Sequence, residues 1–284
     1  MINCHCHTDY SNIRLLDALQ SVEELIITSH EMGMKGVAIT EHESVSSHPK
    51  ALRTVRELKK KKIIPEDFTL ILGNELYLCP DLESVKDNYK SGETKFPHFL
   101  VLSKDLIGHE QLRTLSSRAW SRSFYTGLME RVPTLYSDLE EVVKPNKGHL
   151  IASSACLGSA VNIHLLAIKE AEKTSNHPKA NYHKQELHKF ILWCIDIFGQ
   201  DHFFIELQPA LSEEQVYCNK KLVDIADHYG LKRIVTTDAH YGRPEDRDIH
   251  EAFLNAKQGE REVAQFYRFC ERENPLFLWW DVSP

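Results

Sequence analysis

SVEELIITSHEMGMKGVAITEHES, residues 21–44, carries the unit from which the fold is read. Ser21 is placed to cap a helix, and Glu24 follows three residues later, the spacing of a capping box. Apolar residues then recur at helical spacing to Met32, and Gly33 ends the run. Gly36–Thr40 (GVAIT) is short, β-rich and continuously apolar, as expected of a parallel strand buried on both faces. It runs directly into Glu41 and His42, side chains able to bind a metal or move a proton. Helix, buried strand and polar strand end follow in the order of a parallel α/β protein, whose sites gather where strands end.

The same signature recurs outward from that stretch. Further strands are predicted at Ile2–Cys4, Leu70–Leu76, Phe99–Ser103, His149–Ser153, Phe203–Leu207 and Arg233–Thr237, making seven. Helical spacing fills 50–62, 107–120, 182–198, 213–229 with Gly230 as its cap, and 244–257. The alternation predicts an α/β fold, a distorted seven-stranded (βα) TIM-like barrel. A two-domain nucleotide fold is disfavoured, because no GxGxxG follows the first strand and no GxxxxGK[ST] occurs. The polar stretches 79–96 and 173–183 read as inserted loops. One domain is expected over 1–259, with a C-terminal tail at 260–284.

Composition narrows the function. With 284 residues, 42% apolar and 26% charged, the chain can bury a core. A formal net charge of -7 argues against a dedicated grip on duplex DNA, but not against an enzyme acting at a strand end where metal ions supply positive charge. Seven cysteines without a disulfide-like spacing, and no signal peptide, predict a cytoplasmic protein with free thiols. No apolar run approaches the roughly 20 residues that span a bilayer. Sixteen histidines are the compositional outlier, and their positions carry the chemistry.

His5 and His7 follow the first strand two residues apart, so in extended chain both imidazoles can face one ion. Glu41-His42 follows the second strand, Glu75 closes the third, and Asp238 and His240 follow the last. A lone HxH is more often a pair of surface histidines, and a lone carboxylate at a strand end often caps a helix. Four strand ends carrying ligand-type residues together are hard to read that way. Mixed nitrogen and oxygen donors suit Zn, Mn or Fe, and bridging carboxylates suit sites with several ions. Cys4 and Cys6 read as packing residues, and Lys59–Lys62 as a solvated helix end.

With these stretches in order, HCHTDYS and LLDAL, EELIITSHEMGMKGVAITEHES, GNELYL, HFLVLSKDLIGHEQLRTLSSRAW, HLIASSACLGS, FFIELQPA and VTTDAHYGRPEDRDIHEAFL, residues 1–259 resemble the PHP (polymerase and histidinol phosphatase) family. The likeness is strongest to the PHP domain of bacterial DNA polymerase III alpha subunits. It implies a trinuclear divalent-metal site (Zn, Mn, Fe or Mg). Its nine ligand positions fall here on His5, His7, Asp17, His42, Glu75, His98, Cys156, Asp238 and His240. The family's TDHG is Thr40-Glu41-His42-Glu43 here, and Glu41 is expected to orient a ligand from behind. His98 stands at the start of its strand, the wrong end for a simple parallel barrel, and rests on the resemblance alone.

The resemblance implies a metal-dependent phosphodiesterase, with 3′–5′ exonuclease (proofreading) activity on a DNA 3′ end beside a separate DNA polymerase subunit. No polymerase palm is recognisable in these residues, which suggests a stand-alone or split form. His42, Asp238 and His240 are the candidates for acid–base roles. The alternatives are a histidinol-phosphate-type small-molecule phosphatase and a non-catalytic polymerase-binding scaffold.

Overall fold

The computed structural model describes residues 1–13, 16–83, 96–126 and 129–258. The tail expected at 260–284 lies outside them, as does 84–95 of the expected 79–96 loop. Seven strands form the main sheet: β1 (Ile2–Asn3), β2 (Gly36–Ile39), β3 (Thr69–Cys79), β4 (His98–Ser103), β5 (Leu150–Ser153), β6 (Phe203–Leu207) and β7 (Lys232–Val235). Their order in space is their order in the chain, and the sheet curls into a nearly closed, distorted barrel. A short strand, Thr134–Leu135, joins the end of β3 in parallel.

Helices α1 (Val22–Glu31), α2 (His48–Lys60), α3 (Leu106–Trp120), α4 (Tyr136–Val142), α5 (Ala160–Lys173), α6 (His177–Phe198), α7 (Glu213–Tyr229) and α8 (Arg247–Gln258) link the strands or follow the last one. The capping box forms as the sequence predicts: Ser21 Oγ accepts from the Glu24 amide at 3.3 Å, and Glu24 Oε2 accepts from the Ser21 amide at 2.7 Å. Gly230 ends α7 at φ 64°, a left-handed angle that glycine adopts without a Cβ clash. The predicted loop at 173–183 is a correction: α5 runs to Lys173, and Asn176 already caps α6 with its side chain. Only three residues separate two long helices there. Among the described residues no helix is long and apolar enough to cross a membrane.

Six barrel strands run parallel, but β4 is antiparallel to both neighbours, with Tyr77 opposite His98 and Leu102 opposite Ile151. That reverses the expectation of an all-parallel barrel. It also brings the start of β4, and His98 with it, to the mouth where the other strands end. The barrel closes through the ligand-bearing loops. The Ala239 amide donates to His5 O at 3.2 Å, the His7 amide donates to Ala239 O at 2.8 Å, and Asn3 Nδ2 reaches Thr237 Oγ1 at 2.5 Å.

Apolar packing holds this frame in three places. Leu76, Leu78, Phe99 and Val101 on the outer sheet face pack under Leu112, Leu115, Phe190, Ile191 and Phe198 from the helices. Val37 and Ile39 meet Val22, Ile26 and Leu58, with Cys6 among them. Inside the barrel Cys4, Ala38, Leu100, Leu102 and Ala155 form a small plug. Each large side chain so buried contributes about 1.5–3 kcal/mol, so the mouth residues sit on a rigid base.

His48, at the start of α2, is buried, and its Nε2 reaches Gly73 O on β3 at 2.9 Å while Nδ1 meets His109 at 3.0 Å. Burial lowers its pKa to about 4, with the Gly73 carbonyl opposing and His109 adding. The folded state therefore takes up this proton only below the pH at which the unfolded chain does. Stability from His48 is intact above about pH 6.5 and falls as pH drops toward 4, by about 2–3 kcal/mol. Urea unfolding in chelator at about pH 7 and 4.5 should show the wild type losing that much more than His48→Asn. Equal losses would sink the assignment.

Candidate metal centre

The nine positions drawn from the sequence come together at the barrel mouth, brought there by the loops after β1, β2 and β7, by β3, by the start of β4 and by the loop after β5. Glu75 is fully buried at the centre. His98 Nδ1 stands 2.8 Å from its Oε1 and His42 Nδ1 2.6 Å from its Oε2, with His5 at 3.5 Å and His7 at 3.6 Å. Asp238 Oδ1 lies 3.2 Å from Nε2 of both His5 and His7. Asp17 Oδ2 is 2.9 Å from His42 Nε2 and 3.8 Å from His240 Nε2. Cys156 Sγ is 3.3 Å from His98 Nδ1 and 3.7 Å from Glu75 Oε1.

Three groups of ligand atoms lie close enough to share an ion each: His7, His42 and His240; His5, His7 and Glu75; Glu75, His98 and Cys156. His7 and Glu75 each belong to two groups, so the three are contiguous. The residues fit divalent ions on a second count. His5 Nε2, His7 Nε2, Asp17 Oδ1, Glu75 Oε2 and Asp238 Oδ1 are buried without a hydrogen bond of ordinary geometry, although His42 stands 2.6 Å from Glu75 Oε2 and the His5 and His7 imidazoles 3.2 Å from Asp238 Oδ1. A buried polar atom left so costs about 1–3 kcal/mol. Five such donors converging on one space is the arrangement that ions satisfy.

Charge in the cluster is divided sharply. Burial, then the neighbouring His42 and His240, lowers His7 to about 3. Burial would lower His42 too, but the Asp17 and Glu75 carboxylates raise it to about 10. The His7 and His42 rings stack 4.0 Å apart, so one proton between them excludes a second. Burial works against the Glu75 charge, yet His98 and His42 hold its carboxyl well below the usual range. Burial pushes the Cys156 thiol well up, and a cation beside it would draw it back toward thiolate.

Two further carboxylates lie behind the ligands. Glu41 accepts from the Thr8 amide at 3.0 Å and from the Thr8 and Ser11 hydroxyls. Since Ser11 Oγ gives its proton to Glu41, it accepts from His7 Nδ1 at 3.0 Å, leaving Nε2 of His7 toward the cluster. Glu206, in β6, accepts from His5 Nδ1 at 2.8 Å. Sequence reasoning passed over Glu206, although an acid inside the apolar run FFIEL was the available signal. It also passed over Gln20, whose amide nitrogen bridges His7 O at 2.9 Å and Ala239 O at 3.3 Å, and for which the sequence offers no signal. Arg118 and Arg122 are engaged by Glu141 at 2.7 Å and Asp138 at 2.6 Å.

Contiguous His, carboxylate and thiol side chains able to hold metal at one mouth define an α/β barrel with a candidate metal centre. The PHP domain profile matches residues 3–210, and the chain belongs to the PHP domain family. It is 65% identical over 274 residues to a DNA-directed DNA polymerase of Bacillus phage SPbeta, covering 96% of this chain and 21% of that protein. The DNA polymerase III alpha subunit of Aquifex aeolicus (strain VF5) is 31% identical over 289 residues, 98% of this chain and 22% of its own length. The chain thus spans about a fifth of the curated relatives it matches. Among solved structures, one described as a metal-dependent phosphoesterase from Bifidobacterium adolescentis superposes with a TM-score of 0.47 at 14% identity, over 86% of this chain and 89% of that one.

Proposed function

We propose that this domain is a metal-dependent phosphodiesterase that removes nucleotides from a DNA 3′ end. The observation that carries the reading is the sharing of Glu75 and His7 between adjacent groups of metal-competent side chains, so that ions bound there would share ligands. Ions bound there would supply Lewis acidity for a phosphoryl oxygen and for an attacking water. His5, His7, His42, His240, His98, Cys156, Glu75, Asp17 and Asp238 would hold them. Glu41, through Ser11, keeps His7 turned inward.

DNA as substrate, and a DNA polymerase as partner, are supported by the relatives, which are named as DNA polymerases. The net charge of -7 suits an enzyme that takes one strand end rather than gripping a duplex. Of the acid–base candidates, His42 has its ring nitrogens 2.9 and 2.6 Å from Asp17 and Glu75, whereas those of His240 stand 3.8 and 3.7 Å from Asp17 and Asp238 and its side chain is 21% exposed, so His240 is the histidine that could move a proton in place of holding an ion.

Hydrolysis of a 3′-mismatched primer–template in Mn²⁺, beside a His5→Ala/Asp238→Ala double variant, tests the reading. Stepwise 3′ shortening by the wild type alone is expected. Intact primer with metal bound would refute the nuclease and favour a monoester phosphatase or a polymerase-binding scaffold.

A further inference from the structure

Glu206 is a carboxylate buried to 1% exposure inside a barrel strand, a placement that costs several kcal/mol unless every lone pair is engaged. It is engaged on all sides. Oε1 accepts from His5 Nδ1 at 2.8 Å, from Thr236 Oγ1 at 2.5 Å and from Gln208 Nε2 at 3.2 Å, and Oε2 accepts from the Ser153 hydroxyl. Its partners come from β5, from the residue after β6, from the residue after β7 and from the loop after β1. The opposite nitrogen of the same imidazole, His5 Nε2, faces Asp238 at 3.2 Å and Glu75 at 3.5 Å and has no hydrogen bond.

We infer that Glu206 is the positioning residue of the centre. It holds His5 with the proton on Nδ1 and the Nε2 lone pair aimed at the ion shared with Glu75. The inference rests on the metal-centre reading of the mouth. A ring with no partner on Nδ1 can rotate or change tautomer, and either change removes Nε2 as a ligand. A carboxylate behind the ring prevents both and makes the imidazole a stronger donor. An amide substitutes only in part: a glutamine can keep its oxygen on His5, Thr236 and Gln208 and donate its N–H₂ to the Ser153 hydroxyl, but it brings no negative charge to the imidazole.

Glu206→Gln is therefore expected to keep its fold and to weaken the ion at His5, His7 and Glu75 by about 10–100-fold. The ion at Glu75, His98 and Cys156 should be retained. Metal titration of the wild type and the variant, with metal content after dialysis, measures the loss. Substitution with Co²⁺ reports the Cys156 site separately through its thiolate charge-transfer band, which should persist. In a His5→Ala background the Glu206→Gln change should cost no further affinity, since the two act as one unit. Glu206→Asp keeps the charge for Ser153 and Thr236 but draws back from His5. It should weaken the same ion, and serves if the glutamine variant does not fold.

A folded variant that binds every ion as the wild type does would overturn the inference. So would loss of all ions together with a lower melting temperature in chelator, because that is the mark of a merely structural group. A wild type that binds metal but leaves DNA intact would remove the nuclease reading while the affinities still decide the role of Glu206. A wild type that binds no metal would remove both.

Discussion

Glu75→Gln should abolish most of the proposed hydrolytic activity and strip two of the three candidate ion positions. Glu75 lies within 3.6 Å of ring nitrogens from four histidines and supplies the carboxylate in two of the three ligand groups. The substitution preserves size, so packing around Leu76 and Leu100 is undisturbed, and the change isolates the charge. An amide is a poor metal ligand and cannot bridge. Removing even an outer partner of a ligand costs about 10–100-fold, so losing this shared ligand should lower kcat/KM by more than about a hundredfold. Metal analysis after dialysis should find the ion at His7, His42 and His240 retained, since that group does not use Glu75. Unchanged metal content with activity within about threefold would show that Glu75 is a structural acid and that the centre lies elsewhere.

Much of this centre was legible because ligand-type residues cannot be placed at four strand ends by packing alone. Gly36–Thr40 and Arg233–Thr237 are apolar runs that stop abruptly at Glu41-His42 and Asp238-Ala239-His240, and strand ends are where a barrel presents side chains to its mouth. The direction of a strand leaves no such mark. Phe99–Ser103 is equally apolar read either way, so a parallel β4 was the natural expectation. The odd placement of His98 at the start of its run was the one hint of reversal, and the antiparallel pairing accounts for it. Polar composition misled at 173–183: those residues are polar because the helix ends there are solvated, while Ile168 and Leu187 nearby are buried. His48 stands just before the predicted helix at 50–62 with no mark of its role, and only tertiary packing against Gly73 buries it.

Metal should raise the melting temperature of this domain steeply, because the mouth is assembled at the expense of stability. Five buried ligand atoms lack a hydrogen bond of ordinary geometry. Asp238 adopts φ 50°, a left-handed backbone that costs a non-glycine residue about 1–3 kcal/mol. Burial and the Glu75 charge also oppose ionisation of Asp238, although His5, His7 and His240 outweigh them and hold its carboxyl far below the usual range. An ion that binds only the folded state at about a thousand times its Kd adds about 4 kcal/mol. For a chain of this size that is a rise of about 8–16 °C per ion. Calorimetry in Mn²⁺ and in chelator reads it directly. Asp238→Asn separates the causes. Asparagine tolerates the left-handed backbone better but removes the charge that the three histidines stabilise, so in chelator the variant should melt no higher than the wild type, while its increment in Mn²⁺ should shrink by at least half. Equal melting temperatures of the wild type with and without metal would mean that the convergent ligand atoms hold no ion. A variant that keeps the full increment would place Asp238 outside the ligand set.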